Sequence, residues 1–147
     1  MRAVLSIVAL AACGPGADPE FPADYTATFT EVRNCRPSSE HDLHNVHVLA
    51  NALAMEPYLN RDAEFPVGSI LLKEEYDFGD IDCADAIVFW TVMEKLPAGT
   101  SPETLDWHWQ KVDPKRNVVT DNEARCFSCH KMCGVEPDGY MGTCEVP

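Results

Sequence analysis

In "TLDWHWQKVD", Leu105, Trp107 and Trp109 alternate with Asp106, His108 and Gln110. A period of two puts the first three on one face and the rest on the other, as a half-buried β-strand requires. "SILLKEEY" (69–76), "DAIVFWTVMEKL" (85–96) and "NVVTDNE" (117–123) read as three further strands. The pieces between them, "DFGDIDC", "PAGTSPE" and "PKR", are short and turn-forming, so the four strands should run as an antiparallel meander.

Upstream the pattern changes. "YTATFTEVRNC" begins with alternating polar and apolar residues and suggests a short strand. In the next stretch Leu43, Val46, Ala50 and Leu53 keep a helical spacing, which predicts helix over much of 41–60, with an extended break around Val46 to Leu49. Pro57 should lie near the end of that helix. A short helix is expected to open at "ARCFSCH" after the last strand. The expectation is an α+β domain: mainly an antiparallel β-sheet meander, with an N-terminal helical segment and a short C-terminal helix. No internal repeat interrupts it.

The first residues stand apart from this pattern. Arg2 precedes an apolar run, Ala3 to Ala12, and small residues lead into Cys13. That is the shape of a secretory signal, and the run is too short for a spanning helix, which needs about 20 residues. "LAAC" resembles a bacterial lipobox, so residues 1–12 read as a lipoprotein-type signal peptide and Cys13 as a lipid anchor. Residues 13–24, rich in Gly, Pro and acid, read as a linker, and 25–147 as the folded domain. The expected location is the bacterial cell envelope, exported and facing the periplasm, with the membrane reached through the anchor only.

Charge narrows the partners. The chain carries 24 acidic and 11 basic side chains, a formal charge of −13. Phosphate backbones repel such a surface, which excludes nucleic acid as a partner. A basic redox partner protein is compatible with it.

Seven cysteines are present: Cys13, Cys35, Cys83, Cys126, Cys129, Cys133 and Cys144. An exported chain meets an oxidising compartment, where free thiols are few. Cys126, Cys129 and His130 form C-x-x-C-H, the attachment pattern for a c-type haem. Two thiols at this spacing reach two vinyl groups of a porphyrin, and the adjacent histidine falls beneath the iron. With Cys13 assigned to lipid and two cysteines to haem, four remain for two disulfides. Proximity and what is left over suggest Cys35 with Cys83 and Cys133 with Cys144. Two rival readings of the segment stay open: a zinc site from Cys126, Cys129, Cys133 and Cys144, or a haem-free knot of disulfides.

"FPVGSILLKEEY", "FWTVMEKLP", "DWHWQKVDP" and "CFSCH", in that order and preceded by "NALAMEPY", resemble the cytochrome P-460 family with its cytochrome c′-beta relatives. The resemblance spans roughly 46–130. It implies a predominantly antiparallel β fold, one covalent haem c, and frequent dimers. It also implies thioethers at Cys126 and Cys129, His130 as the proximal iron ligand, and a distal side open to nitric oxide or hydroxylamine. Cross-linked members join a lysine to the porphyrin edge and oxidise hydroxylamine; the c′-beta members lack the link and bind gases. Lys73 is the residue that matches the cross-linking lysine. By alternation, however, it shares a face with Glu75 that reads as solvated. Glu74, Glu75 and Glu94 are candidate distal proton acceptors. The additional cysteines depart from the family pattern and put simple transfer of the enzymatic activity in doubt.

His41, His44 and His47 are spaced three apart and read first as solvated or hydrogen-bonded. One of them, or Met55, Met93, Met132 or Met141, is a candidate sixth haem ligand, which would define an electron carrier instead. His108 reads as exposed or hydrogen-bonded, and the tryptophans as core and pocket walls.

Overall fold

The computed structural model describes residues 16–134, 139–144 and 147. The signal segment and Cys13 lie outside the described residues. Among those described, no helix is long and apolar enough to cross a membrane.

Six strands form one antiparallel sheet in sequence order: β1 (Thr30–Pro37), β2 (Asn45–Ala50), β3 (Ile70–Tyr76), β4 (Phe89–Lys95), β5 (Trp107–Val112) and β6 (Val118–Asp121). Three short α-helices accompany them: α1 (Tyr25–Thr28), α2 (Ala52–Asn60) and α3 (Ala124–His130). The fold is the expected α+β meander with a C-terminal helix.

The sheet is buried on both sides. One face packs Val48, Leu71, Met93, Trp107 and Trp109 against Ala54 and Tyr58 of α2, with Cys126 and Phe127 of α3 at the edge. The other packs Leu72, Trp90, Val92 and Val112 against Phe21 and Tyr25. Phe21 is 2% exposed, so the core takes in residues ahead of Tyr25, where the sequence reading began the domain. Gln110 holds that segment in place: its Oε1 accepts from the Glu20 N–H at 3.0 Å and its Nε2 donates to the Asp18 carbonyl at 3.2 Å.

Two local readings are corrected. Tyr25–Thr28 is a helical turn, and the strand begins only at Thr30. The helix expected from His41 begins at Ala52; before it lie a turn and β2. The misleading cue was the helical spacing of Leu43 with Val46, since Leu43 is exposed in the turn. Val46, Val48 and Ala50 instead alternate along a strand that pairs residue for residue with β3, from Asn45 opposite Tyr76 to Ala50 opposite Leu71. Asn51 then starts α2. Its Oδ1 accepts from Ala54 N and Ile70 N, both at 3.0 Å, and its Nδ2 donates to the Gly68 carbonyl at 2.8 Å. The helix continues three residues past Pro57 and stops at Arg61, whose left-handed φ of 55° closes it.

Candidate functional site

After β6, Asn122 turns the chain with a left-handed φ of 49°, while its Oδ1 accepts from the Trp109 N–H at 3.1 Å. Helix α3 follows directly. Positions 126, 129 and 130 are three and four apart, so Cys126, Cys129 and His130 share one stripe of the helix. Both thiols are unpaired and partly buried. Burial pushes the Cys126 thiol above its ordinary value. The other described cysteines are oxidised, as Cys35–Cys83 and Cys133–Cys144. The second bond removes two ligands from the zinc set considered above, and Cys126 and Cys129 form no disulfide with each other.

His130 is 8% exposed, and its Nδ1–H donates to the Gly142 carbonyl at 2.6 Å. That bond fixes the tautomer and leaves the Nε2 lone pair available. Burial, then the charge of Lys73, push the imidazole down to about 3, so it is neutral at physiological pH. Trp109 packs against it with ring centres 4.5 Å apart. The segment that supplies the carbonyl is fastened twice, by the Cys133–Cys144 disulfide and by Trp107 Nε1, which donates to the Met141 carbonyl at 2.8 Å. Gly142 itself has φ +91°, and a Cβ there would lie 3.3 Å from Trp107 Nε1.

These residues border a cavity of about 400 Å³ whose far walls come from β2, β3, β4 and the turn after β1. Lys73 and Glu75 both line it. The face that reads as solvated in the sequence therefore meets this cavity. Glu75 is 1% exposed, with Oε1 accepting from His41 Nδ1 at 3.1 Å and Oε2 facing His44 Nδ1 at 2.9 Å. Burial alone raises this carboxyl, but its histidine partners and Lys111 more than offset that and bring it down to about 2. Lys73 Nζ donates to His41 Nε2 at 3.0 Å. At the rim, Asp42 takes Arg125 at 2.7 Å and Lys111 at 3.3 Å, tying the turn to α3 and β5.

The three candidate glutamates part company here. Glu75 lines the cavity. Glu74 points through the opposite face, where it accepts from Tyr25 at 2.6 Å, Tyr76 at 2.9 Å and His47 at 2.9 Å. Glu94 groups with Glu20 and His108, and His108 Nε2 meets Asp121 at 2.7 Å. Among the histidines, His41 borders the cavity while His44 and His47 stand behind carboxylates. Met93 lines it as well, whereas Met132 is 67% exposed. Trp109 lines the cavity, as its reading as a pocket wall expected, whereas Gly142 and the Asp42 clasp were not singled out for the site from sequence. A backbone carbonyl and a long-range ion pair leave no local signature.

The donor set fits a haem. It offers two thiols and a neutral, oriented imidazole on one helix stripe, beside a cavity of the size that takes organic cofactors. On its walls the buried Thr91 Oγ1, Thr120 Oγ1 and Trp109 Nε1 have no hydrogen-bond partner among the described residues. Such orphaned polar atoms favour a polar ligand edge.

An antiparallel meander ending in a C-x-x-C-H helix over such a cavity is an arrangement able to hold a haem. The family model for Cytochrome P460 matches residues 22–136, and the chain belongs to that family. Membership makes it a haem protein of the c-type cytochrome class, with iron at its centre. No curated relative matches the chain.

Proposed function

We propose that the chain is an exported mono-haem cytochrome c that binds small nitrogen oxides. Cys126 and Cys129 would carry the thioethers and His130 would bind the iron, which would take nitric oxide or hydroxylamine as its small ligand. The observation that carries this reading is His130. It is buried and neutral, is held through Nδ1 by Gly142, and offers Nε2 beside two unpaired thiols. Bound there, the haem supplies an iron able to take a small ligand or pass an electron.

The chain's own groups do the rest. Gly142 orients the His130 imidazole, and the buried walls limit water. Lys73, His41 and Glu75 form a hydrogen-bonded line from the cavity to a buried carboxylate, which suits proton movement to or from a bound nitrogen oxide. Lys73 is the candidate cross-link, and with that link the protein is a hydroxylamine-oxidising oxidoreductase. Two disulfides support an oxidising compartment. They fit export to the envelope behind a signal peptide; Cys13 is the proposed lipid anchor, and a redox partner protein or a second copy the proposed protein contact.

The test is an absorption spectrum of protein matured in a periplasm with c-haem assembly, reduced, with and without nitric oxide. A new ferrous–ligand spectrum supports the reading. A c-type spectrum indifferent to the gas makes the protein an electron carrier. A red-shifted ferrous band identifies the Lys73 link.

A further inference from the structure

The cavity holds a second imidazole. His41, in the turn between β1 and β2, sets its ring centre 6.2 Å from that of His130, with the planes at 81°. One metal ion between two imidazole nitrogens, at roughly 2 Å from each, sets the ring centres roughly 6 Å apart. The separation therefore matches one shared iron.

His41 is also prepared as a ligand. Its Nδ1–H donates to the buried Glu75 carboxylate at 3.1 Å, just as His130 donates to Gly142 at 2.6 Å. Each ring is thus held by Nδ1 with Nε2 as its acceptor nitrogen, the arrangement that outer partners impose on metal-binding histidines; on His41 that nitrogen accepts from Lys73 Nζ, which has to release it for a metal to bind. The turn is fixed just after His41, by Asp42 on Arg125 at 2.7 Å and by His44 on Glu75 at 2.9 Å. Lys73 Nζ, 3.0 Å from His41 Nε2, is a partner to receive a displaced imidazole.

We propose that His41 is a displaceable sixth ligand, binding the iron opposite His130 until a small nitrogen oxide replaces it. As the ligand arrives His41 leaves, and its Nε2 returns to the Lys73 ammonium; no electron is transferred. The inference rests on the haem site proposed above. It adds a threshold to that site, because the exogenous ligand has to compete with an internal imidazole, and its apparent affinity falls by the fraction of sites His41 leaves open.

The experiment compares the full-length holoprotein with its His41→Ala, His41→Gln and Lys73→Ala variants, by ferric electron paramagnetic resonance, absorption and nitric oxide titration. The wild type and Lys73→Ala are expected to be low-spin and six-coordinate. Both His41 variants are expected to be high-spin, with apparent nitric oxide affinity raised by roughly tenfold or more. A high-spin wild type with covalent haem overturns this inference alone. So does a low-spin spectrum that survives loss of His41 or disappears with Lys73. A protein without covalent haem overturns both this inference and the reading beneath it.

Discussion

His130 Nδ1 lies 2.6 Å from the carbonyl oxygen of Gly142, twelve positions further along the chain. This contact fixes the imidazole proposed to bind the iron. The residue that provides it has to be a glycine, for its φ is +91° and Trp107 closes the space where a side chain would stand.

Gly142→Ala should therefore cost about 1–3 kcal/mol of stability. It should also disturb the iron, because a shifted carbonyl loosens the imidazole it holds. Chemical denaturation and the midpoint potential of the holoprotein check the two effects. A potential unchanged beside a clear loss of stability would detach Gly142 from the proposed iron ligand.

The two disulfides should separate in their effects. Cys35–Cys83 spans 48 positions and Cys133–Cys144 spans 11, so chain entropy assigns the larger stability loss to removal of the first. Both losses fall within roughly 2–5 kcal/mol. Only the second fastens the segment that holds His130. A Cys133→Ser/Cys144→Ser protein should shift its haem spectrum or potential, while Cys35→Ser/Cys83→Ser should unfold more readily with its spectrum intact. Spectra and denaturation curves of the two double variants decide it.

A pH dependence follows from the half-buried His47 and the buried Glu74 on the other face. His47 is raised above its ordinary 6.5, first by its hydrogen bond to Glu74. Its stabilising effect is complete below 6.5 and is lost as pH rises through the higher folded value. Burial pushes Glu74 up, but hydrogen bonds from His47, Tyr25 and Tyr76 prevail and hold it below 4.5. Its effect is complete above 4.5 and is lost as pH falls through the lower folded value. The pair thus contributes most between 4.5 and 6.5. Denaturation midpoints of the wild type should decline above that window, and His47→Gln should flatten the alkaline decline. An equal decline in the variant would assign it to other groups.

How far the sequence reached depends on where each signal is kept. β3, β4, β5 and β6 were legible because their apolar residues sit between turn-forming pieces, and Trp107 and Trp109 share a face as their spacing requires. β2 was harder. A strand covered on both faces loses its alternation, and "NVHVLA" is buried at every position but His47, which is half-buried. The C-x-x-C-H helix was legible because its three donors are local. Glu75 could not be separated from Glu74 until the register showed which face of β3 meets the cavity. His41 came to the site through a turn whose residues Asp42 and Leu43 both have positive φ, at 55° and 65°. Spacing alone suggested a helix there.

The most direct measurement is the mass of the denatured full-length protein after periplasmic maturation with c-haem assembly, beside a Cys126→Ser/Cys129→Ser variant. The account predicts one haem retained on the denatured wild type and none on the variant. Haem lost from the wild type on denaturation, or retained by the variant, would contradict it.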